Sequence, residues 1–288
     1  MTLFTTRTGG FPIGFRRGGW AWQRELPTAI DWAKANGFAA IDLSRNIADI
    51  KAVQDAGLRV GSVDMVGTQG LSSPDAAKRA EAVAKISEYA AACGPQNYFA
   101  VLIPEDSSRP RAENMGYLIE SLQAISGPLD AAGGRLVIEG WPGAGSLVCT
   151  PETFRAVFTA CPSLSIGINY DPSHLVRMGI NPIRFLQEFA PRVGHVHGKD
   201  TLIRADDLYE YGHELPAAYK EDPFCGASAW RYTIPGHGAT PWIEVCRILE
   251  ASGYKGAICI ELEDSDYHGS SEREQQGLLD SAKFLASC

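Results

Sequence analysis

The stretch RLVIEGWPGAGSLVCTPETFRAVFTACPSLSIGINYD, residues 135–171, decides the fold class. It begins and ends with apolar, β-branched runs, at 135–139 and 164–170. Between them, Thr150 and Pro151 mark the start of a helix, because Thr is a favoured N-cap and Pro fits the first helical turn. A strand, a helix and a second strand in this order predict one unit of a parallel α/β sheet.

The same unit recurs along the chain. Apolar runs lie at 11–15, 39–43, 59–65, 98–103, 135–139, 164–170, 193–197 and 257–261. Helical stretches lie at 25–36, 47–56, 72–92 (with a serine N-cap), 111–132, from 150 onward, 181–189, 240–251 and 271–286. Eight strand–helix units in 288 residues favour a closed (β/α)8 TIM barrel over an open doubly wound sheet. Because no G-x-G-x-x-G motif follows a strand and no composition shift marks a boundary, we predict one barrel domain over residues 1–288.

One connection in this pattern is much longer than the others. Residues 201–239 separate the seventh apolar run from the next helix and are rich in charge, aromatics, Gly and Pro. Loops of this length in a compact domain are usually functional. Because the loop follows the seventh strand, it lies on the carboxyl-end face of a barrel, where barrel active sites are found. We therefore expect a lid or a binding loop.

The chain is acidic: 26 Lys and Arg against 34 Asp and Glu give a net charge of −8. This charge disfavours binding to nucleic acid or to anionic membranes, and no apolar stretch approaches the length of a membrane span. The seven cysteines form no C-x-x-C pair, and residues 1–7 lack the apolar core of a signal peptide. We expect a cytoplasmic protein with neither nucleic acid nor membrane among its partners.

Charged and histidine side chains cluster where the later predicted strands end. Glu139 ends the fifth strand, Asp171 follows the sixth, His197 ends the seventh and Glu261 ends the eighth. A barrel brings these ends around one mouth, and charged side chains are rarely buried unless they are paired or bind a metal. Two Glu, one Asp and one His suit Mn²⁺, Mg²⁺ or Co²⁺ better than a structural zinc site. We predict one divalent metal ion, with Zn²⁺ as the less favoured alternative.

These motifs resemble those of the xylose isomerase-like barrel superfamily, which includes sugar isomerases and epimerases, inosose dehydratases and endonuclease IV. The resemblance extends over essentially the whole chain. It is carried by GFAAIDL (37–43), AGLRV (56–60), DPSH (171–174), HVHGKD (195–200), PGHG (235–238) and IELED (260–264). It implies four metal ligands: Glu139, Asp171, His197 and Glu261. It also implies that His174 and Lys199 face the substrate.

Two features depart from particular branches of the superfamily. Ketose 3-epimerases carry an Arg six residues after the ligand His, where this chain has Ile203 and places Arg204 one residue later. Endonuclease IV members take extra His ligands from the early strands, whereas the first histidine here is His174. Together with the acidic net charge, the second departure argues against cleavage at abasic sites.

The resemblance implies proton abstraction next to a carbonyl group of a keto-sugar or polyol, through an enediolate stabilised by the metal. Glu139 and Glu261 are the expected bases on opposite sides of the sugar, which makes an isomerase or epimerase the predicted function. The alternative is a lyase, a dehydratase or hydratase acting on a keto-sugar or inosose, with Lys199 or His174 as its acid. A further alternative is a barrel without turnover that binds a sugar or a partner subunit.

Three further side chains are candidates for contacts with the sugar. Asp64 lies near the end of the third strand, Trp141 follows the fifth strand, and His237 lies in the long loop. We expect His195 to pack outside the barrel, away from the ligands. Analogy with other barrels of the superfamily is the basis for expecting that this chain associates into a homo-oligomer.

Overall fold

A computed structural model, which describes residues 3–18 and 20–288, contains a closed barrel of eight parallel strands within those residues. In chain order the strands are β1 (Ile13–Arg16), β2 (Ala40–Leu43), β3 (Arg59–Asp64), β4 (Asn97–Ala100), β5 (Arg135–Glu139), β6 (Ile166–Tyr170), β7 (Val193–Gly198), β8 (Asp200–Ile203), β9 (Gly226–Ala227), β10 (Trp230–Thr233) and β11 (Ile258–Ile260). The order around the barrel is β1-β11-β7-β6-β5-β4-β3-β2, and β2 pairs with β1 to close it. The prediction of a (β/α)8 barrel is confirmed.

Helices follow the barrel strands. In chain order they are α1 (Leu26–Ala35), α2 (Ile47–Asp55), α3 (Ala76–Cys93), α4 (Arg111–Ala132), α5 (Pro151–Ala160), α6 (Pro172–Arg177), α7 (Pro182–Phe189), α8 (Ala205–Tyr211), α9 (Trp242–Ala251) and α10 (Ser271–Ala286). The predicted start of α5 is confirmed, with Thr150 and Thr153 forming a reciprocal capping box. The serine cap predicted for the third helix is wrong. Asp75 caps α3 and accepts from the backbone N–H of Ala77 at 2.8 Å, because Thr68–Ser72 forms a separate 3₁₀ turn.

Aromatic side chains fill the space between the barrel wall and the helices α5 and α7. The ring of Phe154 lies 5.4 Å from that of Phe185, and the rings of Phe185 and Phe189 are 4.7 Å apart. Tyr170, the last residue of β6, stacks on Phe185 at 6.3 Å. Burial of such side chains is the main favourable contribution to folding. This packing fixes the carboxyl end of β6, which carries part of the site described below.

The segment between β7 and α9 is not the irregular loop predicted over 201–239. β8, β10 and β9 form an antiparallel sheet in that order, and α8 lies between β8 and β9. The register places Tyr232 opposite Thr201. Asp200, fully buried, accepts from the backbone N–H of Thr201 at 2.8 Å and of Thr240 at 3.0 Å. These bonds tie the start and the end of the segment together beside the carboxyl end of β7.

The described helices were also compared with the requirements of a membrane span, and none of them is long and apolar enough to cross a bilayer. The expectation that residues 1–7 form no signal peptide falls partly on Met1 and Thr2, which lie outside the described residues. The domain boundary at 1–288 and the cytoplasmic location stay predictions.

Candidate metal centre

The carboxyl ends of β5, β6, β7 and β11 meet at one mouth of the barrel. Glu139 is the last residue of β5, Asp171 follows β6, His197 lies near the end of β7, and Glu261 follows β11. Asp171 is also the N-cap of α6, and its Oδ1 accepts from the backbone N–H of Ser173 at 2.9 Å and from the Ser173 hydroxyl at 2.6 Å. The cap fixes this carboxylate and leaves Oδ2 for a different partner.

Four side chains at this mouth each place a ligand atom within 4.8 Å of the others: Glu139, Asp171, His174 and Glu261. We call this group the mouth cluster. Nε2 of His174 lies 3.3 Å from Oε1 of Glu139 and 3.3 Å from Oδ2 of Asp171. Glu261 exposes 15% of its side chain, and the other three are buried. The mouth cluster thus contains three of the four predicted ligands together with His174, which was predicted to face the substrate.

His197 lies at the edge of the mouth cluster. Its Nδ1 is 2.7 Å from Oε2 of Glu139 and 3.4 Å from Oε2 of Glu261. The imidazole is fully buried, and its ring centroid lies 5.3 Å from that of Phe99. The structure therefore brings all four predicted ligands together, with His174 as a fifth donor.

The donor atoms of this group fit a divalent ion. Oδ2 of Asp171, Nε2 of His174 and Nδ1 of His197 are buried and make no hydrogen bond of acceptable geometry within the described residues. Buried polar atoms normally have a hydrogen-bond partner, so several unpartnered ones that converge on one place call for an explanation. Carboxylate and imidazole donors are the ligands that divalent metal ions of this class use in proteins. The residues present could therefore bind a divalent metal ion.

A buried lysine enters the mouth cluster from the barrel wall. Lys199, 1% exposed, lies between β7 and β8. Its ammonium pairs with Glu261, with Oδ2 of Asp171 at 3.2 Å and with Glu263 at 3.0 Å. It also lies 4.7 Å from the ring centroid of Tyr232. One ammonium among three carboxylates offsets part of their mutual repulsion.

Neighbouring charges determine the protonation states in this group. Burial alone would raise the pKa of Glu261, but Lys199 and His197 lower it well below its usual value. The pKa of Glu139 is also lowered, because the neighbouring imidazoles outweigh burial and the repulsion by Glu261. Burial alone would lower the pKa of Lys199, and the surrounding carboxylates raise it well above its usual value. Near neutral pH both glutamates are ionised and the lysine carries its proton.

The antiparallel sheet holds His174 in place. The hydroxyl of Tyr232, on β10, lies 2.7 Å from Nδ1 of His174 and accepts from Arg177 at 3.0 Å. The guanidinium of Arg177 lies 4.2 Å from the ring centroid of Trp230. The sequence does not point to Tyr232, because its approach to His174 depends on the pairing of β10 with β8, which lies about thirty residues earlier in the chain.

Two other residues that the sequence interpretation missed hold the glutamates. Nδ2 of Asn169, on β6, donates to Oε2 of Glu139 at 2.7 Å. Arg16 donates to Oδ1 of Asp64 at 2.9 Å, and its Nε lies 3.2 Å from Oε1 of Glu261. Arg16 is the last residue of β1, one position beyond the predicted run at 11–15. Extending that run by one residue would have identified it with the same strand-end criterion.

A cavity of about 270 Å³ opens beside the mouth cluster. Its polar and aromatic lining includes Arg16, Arg45, Asp64, Thr68, Gln69 and Phe99. Such a wall supplies hydrogen-bond donors and acceptors for the hydroxyl groups of a polyol. A larger cavity, about 590 Å³, lies at the opposite rim, where the strands begin, and does not include the mouth cluster.

Trp141 and His237, two of the predicted substrate contacts, are not brought to the mouth cluster in the same way. Trp141 is half-buried in the segment after β5. His237 is exposed, and its ring lies 6.4 Å from that of Tyr267. Their contacts with substrate stay predictions.

The prediction that His195 packs outside the barrel is wrong. Residues two apart on a strand share a face, so His195 and His197 point to the same side of β7. Both rings lie inside the barrel, with centroids 5.5 Å apart, and Nε2 of His195 lies 3.0 Å from Oδ2 of Asp42 on β2. A correct use of strand alternation would have placed His195 beneath His197.

The family model described as "Xylose isomerase-like TIM barrel" matches residues 30–288 of the chain. Among curated proteins, the chain is similar to the inosose dehydratase of Clostridium beijerinckii. The two are 32% identical over 119 residues, which is 41% of this chain and 38% of that protein. The chain spans about two fifths of the length of the curated relatives that it matches.

Two solved structures share the fold. The D-psicose 3-epimerase of Clostridium cellulolyticum H10 superposes with a TM-score of 0.68 and 15% identity, over 96% of this chain and 100% of that chain. The structure of the IOLI protein with a zinc atom superposes with a TM-score of 0.66 and 16% identity, over 96% and 95% of the two chains. At these identities the likeness establishes the fold alone.

Proposed function

The chain belongs to the xylose isomerase-like TIM barrel family, and from this premise we propose that it is a divalent-metal-dependent enzyme acting on a keto-sugar or polyol. The observation that carries the proposal is the mouth cluster, whose four ligand atoms lie within 4.8 Å of one another at the carboxyl-end rim. The relatives named inosose dehydratase and the fold neighbour named D-psicose 3-epimerase support a substrate of this class.

The proposed ligands of the ion are Glu139, Asp171, His197 and Glu261. His197 is preferred over His174 because Nδ1 of His174 already binds Tyr232, whereas both nitrogens of His197 are without a hydrogen bond of good geometry. A bound divalent ion would act as a Lewis acid for the negative charge that develops on a substrate oxygen. His174 is then left to face the substrate through Nε2.

The two glutamates are the proposed acid–base groups. Both are ionised near neutral pH, so each can accept a proton from a carbon next to a carbonyl group. Asn169 holds Glu139 and Arg16 holds Glu261, which fixes the two carboxylates on separate strands around the mouth. Removal of a proton by one glutamate and its return by the other on the opposite face gives an epimer. Return to the neighbouring carbon gives an isomer.

A dehydratase is the second candidate, favoured by the placement of Lys199. Its buried ammonium lies beside Glu261, so a base and a proton donor are adjacent in the same site. Loss of a hydroxyl next to the carbanion requires a donor of this kind. The relatives named inosose dehydratase favour the same reaction.

Turnover in D₂O distinguishes these reactions. The Mn²⁺-loaded protein is incubated with D-fructose, D-tagatose and an inosose, and the products are followed by NMR and mass spectrometry. An isomerase or epimerase introduces deuterium at carbon without loss of water. A dehydratase gives a product lighter by one water. A barrel that only binds the sugar does neither, yet the sugar raises its melting temperature.

Substitutions at the glutamates test the assignment of the bases. We expect Glu139→Gln and Glu261→Gln each to lower the exchange or turnover by about 10²- to 10⁴-fold, the usual contribution of general acid–base catalysis. Glu188→Gln, which alters an exposed pair with Arg155, is the matched control and should keep full activity. Near-wild-type exchange in both variants of the mouth cluster would show that neither glutamate is the base.

A further inference from the structure

A carboxylate lies deep in the barrel directly beneath the mouth cluster. Asp42, on β2, is completely buried, as are His195 and His197 on β7. Around the barrel β2 and β7 are separated by β1 and β11, so these side chains meet across the interior. A fully buried Asp is rare and costly unless it is paired, which requires a reason for its presence here.

Oδ2 of Asp42 lies between the two imidazoles. Nε2 of His195 is 3.0 Å away in a hydrogen bond. Nε2 of His197 is 3.4 Å away, close but poorly aligned, and has no other hydrogen-bond partner within the described residues. The opposite nitrogen of His197, Nδ1, faces Glu139 and Glu261 in the mouth cluster. His197 therefore has a carboxylate of the barrel interior on one side and the proposed metal site on the other.

The neighbouring strand is adapted to this carboxylate. A Cβ atom on Gly61 of β3 would lie 2.2 Å from Oδ1 of Asp42 and 2.9 Å from the ring of His195, so only glycine leaves the required space. The register of β3 against β2 also shifts between Ile41 and Leu43, where β3 carries an extra residue. Such bulges redirect side chains and are over-represented beside active sites.

We propose that Asp42 is a positioning residue that accepts the Nε2–H of His197 and thereby presents Nδ1 to the metal ion. Histidines that bind a metal usually donate their second N–H to a carboxylate or carbonyl, which fixes the tautomer and the ring orientation. His195 holds Asp42 in place from the opposite side. This inference rests on the proposed metal site and adds a partner for one of its ligands.

Co²⁺ titration tests the proposal. The wild-type protein, Asp42→Asn and Asp49→Asn are freed of metal and titrated with Co²⁺ in competition with a chelator, following the visible absorption of the bound ion. Asp49→Asn is the matched control, because it removes a largely buried carboxylate that pairs with Arg17 outside the barrel. We expect Asp42→Asn to bind one Co²⁺ about 10- to 100-fold more weakly than the wild type, and Asp49→Asn to bind it unchanged.

The outcomes separate this inference from the proposed function. Equal Co²⁺ affinity in Asp42→Asn and the wild type overturns the positioning role and leaves the metal site intact. Two ions in the wild type and one in Asp42→Asn would show that Asp42, His195 and His197 hold an ion of their own, which also overturns it. Absence of Co²⁺ binding to the wild type overturns the proposed function, and the positioning role with it.

A measurement on the wild type covers the case in which Asp42→Asn does not fold. Histidine is labelled with nitrogen isotope, the protein is loaded with Cd²⁺, and the His197 ring is assigned by comparison with His197→Ala. We expect cadmium coupling to Nδ1 of His197 and a proton on Nε2 that exchanges slowly with solvent. Cadmium coupling to Nε2 would contradict the proposal.

Discussion

Replacement of Lys199 by methionine is expected to destabilise the metal-free protein strongly. The side chain is 1% exposed, and its ammonium contacts Asp171, Glu261 and Glu263. Methionine keeps most of the volume and removes the charge, so buried carboxylates lose their cation. Breaking a buried ion pair from one side costs roughly 3–5 kcal/mol. For a chain of this size, that corresponds to a fall in melting temperature of roughly 6–20 °C.

The pH dependence of this deficit follows from the lowered pKa of Glu261. Lys199 is one of the groups that hold this pKa down against burial, so its removal raises the pKa. A group whose pKa is lowered in the folded state stabilises the protein above its unfolded pKa and loses that contribution as the pH falls. The deficit of Lys199→Met is therefore largest near neutral pH and shrinks as the pH approaches about 4.

The assay is thermal unfolding followed by circular dichroism in EDTA, over a series of pH values. Lys283→Met is the control, because Lys283 pairs with Asp280 at an exposed site, where ion pairs contribute little. Added Mn²⁺ should reduce the deficit, since the ion supplies positive charge to the same carboxylates. A Lys199→Met protein that melts with the wild type in EDTA near neutral pH would refute the electrostatic reasoning.

Three further predictions concern stability away from the proposed ligands. Asp264, buried, accepts from Thr233 at 2.6 Å and Ile234 at 3.0 Å, and these bonds together with Arg231 lower its pKa against burial; Asp264→Asn should therefore lower stability near neutral pH and flatten its loss on acidification, as measured by urea unfolding. Gly61→Ala should destabilise by about 3 kcal/mol through overpacking, whereas Gly116→Ala, in α4 with open space around it, should stabilise by about 0.5–1 kcal/mol; equal effects in urea unfolding would contradict the packing argument. Tyr232→Phe leaves His174 and Arg177 without their shared hydroxyl and should cost about 1–3 kcal/mol in the same assay; an unchanged midpoint would show that these bonds contribute nothing.

The sequence predicts the barrel because its signals are local. Apolar runs, N-caps such as Thr150 and the glycines after the helices all act within a few residues, and their alternation fixes a parallel sheet. The same strand-end criterion identifies Glu139, Asp171, His197 and Glu261, since parallel strands that close into a barrel bring their ends to one mouth. The structure places these four side chains together.

The residues that the sequence did not reveal depend on non-local geometry or on one position of register. Tyr232 reaches His174 only through the antiparallel pairing of β10 with β8, and that pairing leaves no local periodicity in the chain. Asp42 contacts His195 across the barrel interior, which no sequence spacing encodes. His195 itself was misplaced through an error in strand alternation, which the two-residue period would have corrected.

The metal content of the purified protein tests the central claim most directly. Elemental analysis by mass spectrometry is applied to the wild type, His197→Ala and Glu261→Ala, each after incubation with Mn²⁺, Co²⁺ or Zn²⁺ and removal of excess ion, with Glu188→Gln as the surface control. The account predicts about one equivalent of divalent metal in the wild type and the control, and its loss from both variants of the proposed ligands. No metal in the wild type, or the same content in all four proteins, would contradict it.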